Sequence, residues 1–450
     1  MWSPHAAPTA LVFQSTCKTW LNHWHLRIYP AFAKGTFTME KTNSLHQSKP
    51  KRKTSSRRKA PRGRSGPSQP ATGTTSSEPV AVHGILEMHP AGYGFLRDPR
   101  RDYARRPTDP YVAAGLIRTF DLREGVEVRG SASRANSRKG PRLVEIATVG
   151  NQALTGHQDA APFSEQMAIS PHRLLRLETG PLPLTTRVID LFTPVGLGQR
   201  GLIVASPKTG KTTLLQDISN GITQNHPEVK QVALLIDERP EEVTDFRAQV
   251  QGEIVASSLD EDVENHVRLT QLVVQRCQRL AEAGQDVLLL VDSLTRIARA
   301  FNKCAPSKQP LTSGGINIRA LDVPKKLFAS ARQFAEGGSL TILATALINT
   351  GSVGDEVIFQ EFKGAGNMEI VLDRRLAERR LWPSIDIALS GTRRDERLLP
   401  PETLECVTML RRAMSSMPSA QAMEELTWKL GRFQSNDEFL NMIRRARLAG

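Results

Sequence analysis

The segment Ala205-Ser-Pro-Lys-Thr-Gly-Lys-Thr212 constrains the fold more tightly than any other part of this chain. It has the spacing of a phosphate-binding P-loop, with Ala in place of the first Gly. It follows a strand-like run, Gly201–Ala205, and opens a helical one, Thr213–Ile218. That context is the one the motif requires. Such a loop aims successive backbone N–H groups and a helix N-terminus at bound phosphates. Lys208, Thr209 and Gly210 line it, with Thr213 just beyond. Lys211 is placed to neutralise phosphate charge and the Thr212 hydroxyl to ligate Mg²⁺, so ATP and Mg²⁺ are the expected cofactors.

Two further strands end in acid. Val287-Leu-Leu-Leu-Val-Asp292 delivers Asp292 to the carboxyl end of a buried strand, where open α/β sheets place their ligands and where it would join the Mg²⁺ shell. Alone, such an Asp is as easily a helix N-cap. Leu234-Leu-Ile-Asp-Glu-Arg-Pro240 offers Asp237 or Glu238 to polarise an attacking water, and the residues alone leave that choice open. Glu241 and Glu242 follow Pro240 and read as an acidic first helical turn. The hexapeptide Gly196-Leu197-Gly198-Gln199-Arg200-Gly201 matches a dinucleotide-binding pattern but precedes its strand. It therefore reads as the turn into the P-loop strand and is assigned to the ATP-binding segment.

The rest of this region repeats the theme. Gln231–Ile236, Val287–Val291 and Leu340–Ala346 read as buried strands, and Val263–Ala283 as a helix with Val267, Val274, Cys277 and Ala281 on one face. Strands alternating with helices give a parallel α/β sheet over residues 188–450, with C-terminal helices from about Glu402. Upstream, Val82–Met88, Gly94–Leu96, Gly125–Gly130 and Leu143–Val149 are short alternating runs that predict a small β-barrel over 80–150. A Pro-containing connector, 151–187, joins the two. In Gly92-Tyr93-Gly94-Phe95-Leu96-Arg97 the two aromatics fall two apart, hence on one face of a strand. With Arg97 beside them they form a stacking platform for single-stranded bases.

The bulk numbers add less. The formal charge is +14, but Lys41–Arg64 carries ten Lys or Arg and no acid, which leaves about +4 for the remainder. Net charge therefore says little about the folded part. Residues 1–79 read as a disordered basic extension. Its first 38 residues hold Trp2, Trp20 and Trp24 but no acidic residue, and Met39 is the expected start of translation. Four scattered cysteines, Cys17, Cys277, Cys304 and Cys406, argue against a disulfide framework or zinc site and fit a reducing cytoplasm. No apolar run approaches the ~20 residues of a membrane helix.

Taken in order, GYGFLR, GQRGLIVASPKTGKT, LLIDERPEEVT, LLLVDSLTRIARAFN, EGGSLTILATALINTGS and EFKGAGNMEI closely resemble the termination factor Rho family over residues 80–450. The resemblance implies an OB/cold-shock-like domain that captures pyrimidine-favouring single-stranded RNA. It also implies a RecA-like motor that forms a homohexamer, moves 5′→3′ along RNA and acts on the RNA polymerase elongation complex to end transcription. By the same resemblance Glu238 is the catalytic base, Arg239 contacts phosphate, Arg374 is an arginine finger given to the next subunit and Phe362 stacks on adenine. Leu311–Gly315, with Thr312, Gly314 and Gly315, and Thr350–Gly354, with Val353, are similar to the two pore loops. Asp109-Pro110-Tyr111 is similar to the second part of the RNA site. The chain departs from the family pattern at Gly140, where an aromatic is expected, and at Thr213, Asn317 and Val353. Two other readings use the same residues: another RecA-type ring ATPase, which should lack GYGFLR and DERPEEVT, and a nucleotide-regulated RNA-binding protein that does not translocate.

Overall fold

The computed structural model describes residues 79–133, 140–150, 152–153, 161–306 and 314–448. The expected basic extension, its start at Met39, Cys17 and Thr312 lie outside the described residues.

The first domain is built from β1 (Val80–Met88), β2 (Gly94–Arg97), β3 (Tyr111–Val112), helix α1 (Ala114–Thr119), β4 (Glu127–Ser133), β5 (Arg142–Val149) and β6 (Gln152–Ala153). The strands run in the order β3-β2-β1-β4-β5-β6, and a further pairing of β3 with β5, Tyr111 against Arg142, closes the sheet into a barrel. The alternation seen in the sequence is the alternation of faces: Leu86, Leu96, Val128, Leu143 and Ile146 fill the interior.

The second domain starts with the short strands β7 (Ala168–Ile169) and β8 (Leu174–Leu175). Helix α2 (Leu184–Phe192) and β9 (Val195–Gly196) lead into β10 (Arg200–Ala205). There follow α3 (Lys211–Asn225), β11 (Lys230–Glu238), α4 (Pro240–Gln249), β12 (Glu253–Ser258), α5 (Val263–Glu282), β13 (Asp286–Asp292) and α6 (Leu294–Cys304). The sheet is completed by α7 (Asp322–Ala329), β14 (Arg332–Phe334), β15 (Ser339–Leu347), α8 (Val353–Lys363), β16 (Met368–Leu372), α9 (Arg374–Glu378) and β17 (Gly391–Thr392). Its order is β12-β11-β13-β15-β10-β16-β17, parallel from β12 to β16, with β14 and β17 antiparallel at the margins. The central strands are covered on both sides, which is why they read as unbroken apolar runs. On α5 the buried stripe is Leu269, Val273, Cys277 and Ala281. Cys277 is fully buried and burial pushes its thiol up, as befits a core residue.

Barrel and motor belong to one compact unit spanning Ser77–Arg447. Ile85 and Tyr103 of the barrel side are members of the motor's own apolar cluster. The Tyr103 hydroxyl donates to Glu253 of β12, Arg247 of α4 pairs with Asp102, and Arg276 of α5 pairs with Glu127 at 3.1 Å.

Three helices close the chain: α10 (Pro401–Ser415), α11 (Ser419–Leu430) and α12 (Asn436–Leu448). The last two are fastened by Arg187 of α2, which is wholly buried. Its guanidinium donates to the Leu430 and Phe433 carbonyls at 2.9 Å each and to Asn436 Oδ1 at 3.1 Å. Arg187→Met keeps the volume but strands two buried carbonyls and Asn436. It should cost about 3 kcal/mol of stability, read as a lower chemical-denaturation midpoint; an unchanged midpoint would show that the helices dock without it.

Candidate nucleotide cleft and nucleic-acid surfaces

Strands β10, β11 and β13 all end at the same edge of the sheet, and each delivers one element of a cleft there. After Ala205 the chain turns through Lys208, at φ +67°, and Gly210, at φ +79°, and enters α3 at Lys211. The Thr209 hydroxyl donates to the Ser206 carbonyl at 2.8 Å and Asn349 Nδ2 to Ser206 Oγ at 3.1 Å, so the loop is held from both sides. Lys211 Nζ lies 2.5 Å from Asp292 Oδ1 and 3.1 Å from Glu238 Oε1. Asp292 also accepts from Thr345 Oγ1 at 2.7 Å, and Glu238 Oε2 from Arg296 Nη2 at 3.1 Å. Both carboxylates are 3% exposed, so their charge is felt inside the cleft and not by solvent.

Burial and then the neighbouring Asp292 raise the Glu238 carboxyl to about 7, against the pull of Lys211 and Arg296. Burial works against the Lys211 ammonium, but Asp292 and Glu238 outweigh it and the net shift is upward. Between the two acids left open by the sequence, Glu238 is the one that touches Lys211. Asp237, at φ +58°, turns away toward His266 and Arg296.

Two assignments move. Phe362, expected against adenine, is fully buried in the core and packs edge-on against Phe328. It lies on the inward face of α8, where no ligand face is free. The aromatic beside the loop is Trp382, which is 45% exposed: a Cβ on Gly210 would meet its Cζ3 at 2.6 Å. Ser384 Oγ ties this segment to the Thr209 carbonyl at 2.7 Å. Likewise, Gly196, Leu197, Gly198, Gln199, Arg200 and Gly201 lie at the other end of β10. They are roughly 16 Å from the P-loop of the same chain, as five residues of strand dictate. Their side chains have other duties: Gln199 Nε2 donates to Asn367, and Arg200 donates to the Ala365 and Ala331 carbonyls. Arg296 and Trp382 were both missed. Arg296 sits in the helix after the Asp292 strand, one turn in, a position that could have been flagged; Trp382 carries no local signal.

Arg239 is exposed beside Glu238, with Glu242 at 3.6 Å. Arg374 opens α9 on the same edge as the P-loop, since Ala205 and Leu372 are paired; it is exposed and bound to Glu378 of its own helix at 2.9 Å. Thr212 is half-buried in the first turn of α3, while Lys208 and Thr213 are exposed.

On the barrel, Tyr93, Phe95 and Tyr111 form a three-ring cluster with centroids 5.5–5.8 Å apart, and His89 stacks on Tyr93 at 4.4 Å. All three rings are partly exposed. Gly92 and Gly94 carry them on the β1–β2 hairpin, and Pro110 precedes Tyr111. Leu96 does not join this surface; it points into the barrel at 1% exposure, as strand alternation requires. Nor does Arg97 stand beside the rings. It is 5% exposed and lies beneath Phe95, 5.0 Å from the ring centre, paired with Glu87 and with Asp109.

Gly314 of the first predicted channel segment meets Val353 and Gly354 of the second. At Gly314, φ +98°, a Cβ would sit 2.7 Å from the Gly354 nitrogen, so only glycine permits this approach. Gly315 accepts from Asn302 at 3.1 Å, and Val353 is exposed at the head of α8.

Among the described residues no helix is long and apolar enough to cross a membrane. Residues 82–154 match the model of the Rho termination factor RNA-binding domain, and residues 185–392 that of the ATP synthase alpha/beta family nucleotide-binding domain. The motor fold is shared with a prototypical ATPase from the type III secretion system of pathogenic bacteria. That likeness has a TM-score of 0.53 at 23% identity and covers 69% of this chain and 94% of that one. A transcription termination factor Rho from Aquifex aeolicus is 47% identical over 370 residues, covering 81% of this chain and 85% of the relative. One from Thermotoga maritima is 44% identical over 361 residues, 80% and 84% of the two chains. With an RNA-binding barrel and a nucleotide-binding motor in one polypeptide, and identity of this order along both, the chain belongs to the transcription termination factor Rho family.

Proposed function

We propose that this chain works in the cytoplasm as the subunit of a homohexameric RNA translocase. It captures nascent, pyrimidine-favouring single-stranded RNA on the barrel, moves 5′→3′ by hydrolysing ATP and ends transcription by acting on the RNA polymerase elongation complex. The observation that carries this reading is the pairing, within one subunit, of a buried Lys211–Glu238–Asp292 cleft with an exposed three-ring platform.

In the cleft the P-loop amides and Lys211 bind the phosphates, and Glu238 orients and deprotonates the attacking water. Thr212 Oγ and Asp292 are the residues suited to hold Mg²⁺, whose chemistry is to offset phosphate charge. Asp292 Oδ2 carries no hydrogen bond among the described residues, and a metal that shares its shell with phosphate and water needs few protein ligands. Trp382 supplies the adenine-stacking face first assigned to Phe362. Arg374, exposed on the P-loop edge, is the cation given to a neighbouring subunit, with Arg239 beside the same phosphate. Gly314, Gly315 and Val353, with Thr312, line the channel that grips RNA.

ATP turnover should rise strongly with poly(C), less with poly(U) and not with DNA. Tyr93→Ala and Phe95→Ala should each weaken RNA capture by ~1–3 kcal/mol, the worth of one lost stack. Turnover indifferent to RNA would remove the motor reading and leave a nucleotide-regulated binding protein. Trp382→Ala should raise the KM for ATP about tenfold through lost stacking and burial with RNA affinity unchanged; an unaltered KM would leave adenine without this face. Arg374→Ala should cut RNA-stimulated kcat by about 10³. Mixed with an excess of a Glu238→Gln subunit, it should regain part of that rate. Undiminished turnover would move the finger elsewhere, Arg393 and Arg394 being exposed arginines at the opposite end of the β16–β17 edge.

A further inference from the structure

Glu87 lies on β1 and carries an unusual load. Its side chain is 5% exposed and meets three guanidiniums. Arg97 and Arg268 share Oε2, the latter at 3.1 Å, while Arg105 holds Oε1 at 2.5 Å. Arg97 is the residue beneath Phe95 of the platform; Arg268 belongs to α5 of the motor, the helix packed on β11, β12 and β13. Burial works to raise the Glu87 carboxyl, but the arginines outweigh it and keep it ionised.

Hydrogen bonds continue beyond Arg268 as far as His266, and longer polar contacts lead on from there. It donates to Asn265 Oδ1 at 2.6 and 3.0 Å, and Asn265 Nδ2 donates to Ser257 Oγ at 3.0 Å. Ser257 Oγ lies 2.7 Å from His266 Nδ1, and His266 Nε2 lies 4.0 Å from Asp237 Oδ1. Asp237 immediately precedes Glu238 and shares Arg296 with it, at 3.7 and 3.1 Å. The chain of contacts therefore runs, inside one subunit, from the ring that would carry a base to the carboxylate that would activate water.

We infer that the Glu87–Arg268 ion pair is a positioning joint through which occupancy of the aromatic platform is transmitted to Glu238. This rests on the function proposed above. The joint is not needed to hold barrel to motor, because Tyr103–Glu253, Asp102–Arg247 and Glu127–Arg276 do so independently. What it adds is exchangeable charge. Arg97 is divided between Glu87 and Asp109, and Glu87 between three arginines. Arg105 is largely exposed, but Glu87, Arg97, Asp109 and Arg268 are buried or nearly so and cannot fall back on water, so a base settling on Phe95 redistributes the sharing among them in discrete steps. Arg268 is the member of the set that belongs to the motor.

The test compares Glu87→Gln, Arg268→Gln and the double variant, as assembled full-length protein, in three readouts: ATP turnover without RNA, affinity for an oligocytidine, and RNA-stimulated kcat and KM for ATP. Each single variant should keep RNA-free turnover and KM, bind the oligomer within about twofold, and lose about tenfold in stimulated kcat, with no further loss in the double. Full stimulation in either single variant overturns the joint. So does an additive loss in the double, or a loss that merely tracks weaker RNA binding. If the glutamine variants do not fold, Arg268→Lys, which keeps the charge but not the shared geometry, is read by the same criteria. Absence of RNA stimulation in the unaltered protein is a different outcome and removes the proposed function itself.

Discussion

The Lys211 ammonium, set between Glu238 and Asp292, is the interaction on which the rest of the structure depends. Two carboxylates at 3% exposure would be costly without it, since each is withdrawn from water and each repels the other. Glu238 and Asp292 end β11 and β13 while Lys211 opens the helix that follows β10, and only a parallel sheet that ends these three strands at one edge brings the groups together. The apolar runs of β10, β11 and β13 can thus be understood as the support for one small cluster of charge. The cluster is also poised: phosphate oxygens compete with the carboxylates for the same ammonium. When Lys211 turns to a phosphate, Glu238 loses one of the two cations that hold its pKa down against burial and Asp292. Arg296 is the remaining one. The state of Glu238 is therefore tied to the position of the Lys211 ammonium.

Most of this edge is legible in the sequence because it is local. A P-loop, a strand ending in Asp and a strand ending in Asp-Glu declare themselves over a few residues each, and buried parallel strands declare themselves by lacking polar alternation. The barrel is legible for the opposite reason, its alternation. Glu253–Ser258 went unread, because a six-residue run ending in three small residues gives little signal of burial. Met368–Leu372 was visible only as part of a motif, since its Glu369 breaks the apolar pattern.

The aromatic assignments fail more instructively. Phe362 sits in a charged helix before a glycine and looks available, yet the inward face of α8 claims it for the core. Trp382 stands in Leu-Trp-Pro-Ser with no periodicity to place it, and only the fold brings it over Gly210. Arg97 and Leu96 show the same limit at shorter range. Being neighbours of two exposed rings on a strand, they were assigned to the surface, although the two-residue period sends Leu96 inward. Arg97 shares the rings' parity, and only Glu87 and Asp109 explain why it lies under them.

Glu87 and Arg268 mark where sequence reasoning stops altogether. They are 181 residues apart, and each alone reads as an ordinary surface charge on a strand and on a helix. Their meeting requires that the barrel be seated on α5, which in turn requires Tyr103 and Ile85 in the motor's core. A chain that only tethered a binding barrel to an engine could have joined them by a flexible linker and exposed charges. Here the seat has an apolar centre and the Glu87–Arg268 and Glu127–Arg276 pairs across it are largely buried, so the barrel cannot shift without repacking and those two pairs cannot loosen into water. That combination favours discrete changes over gradual ones, and it places the three-ring cluster and Glu238 on a single mechanical body.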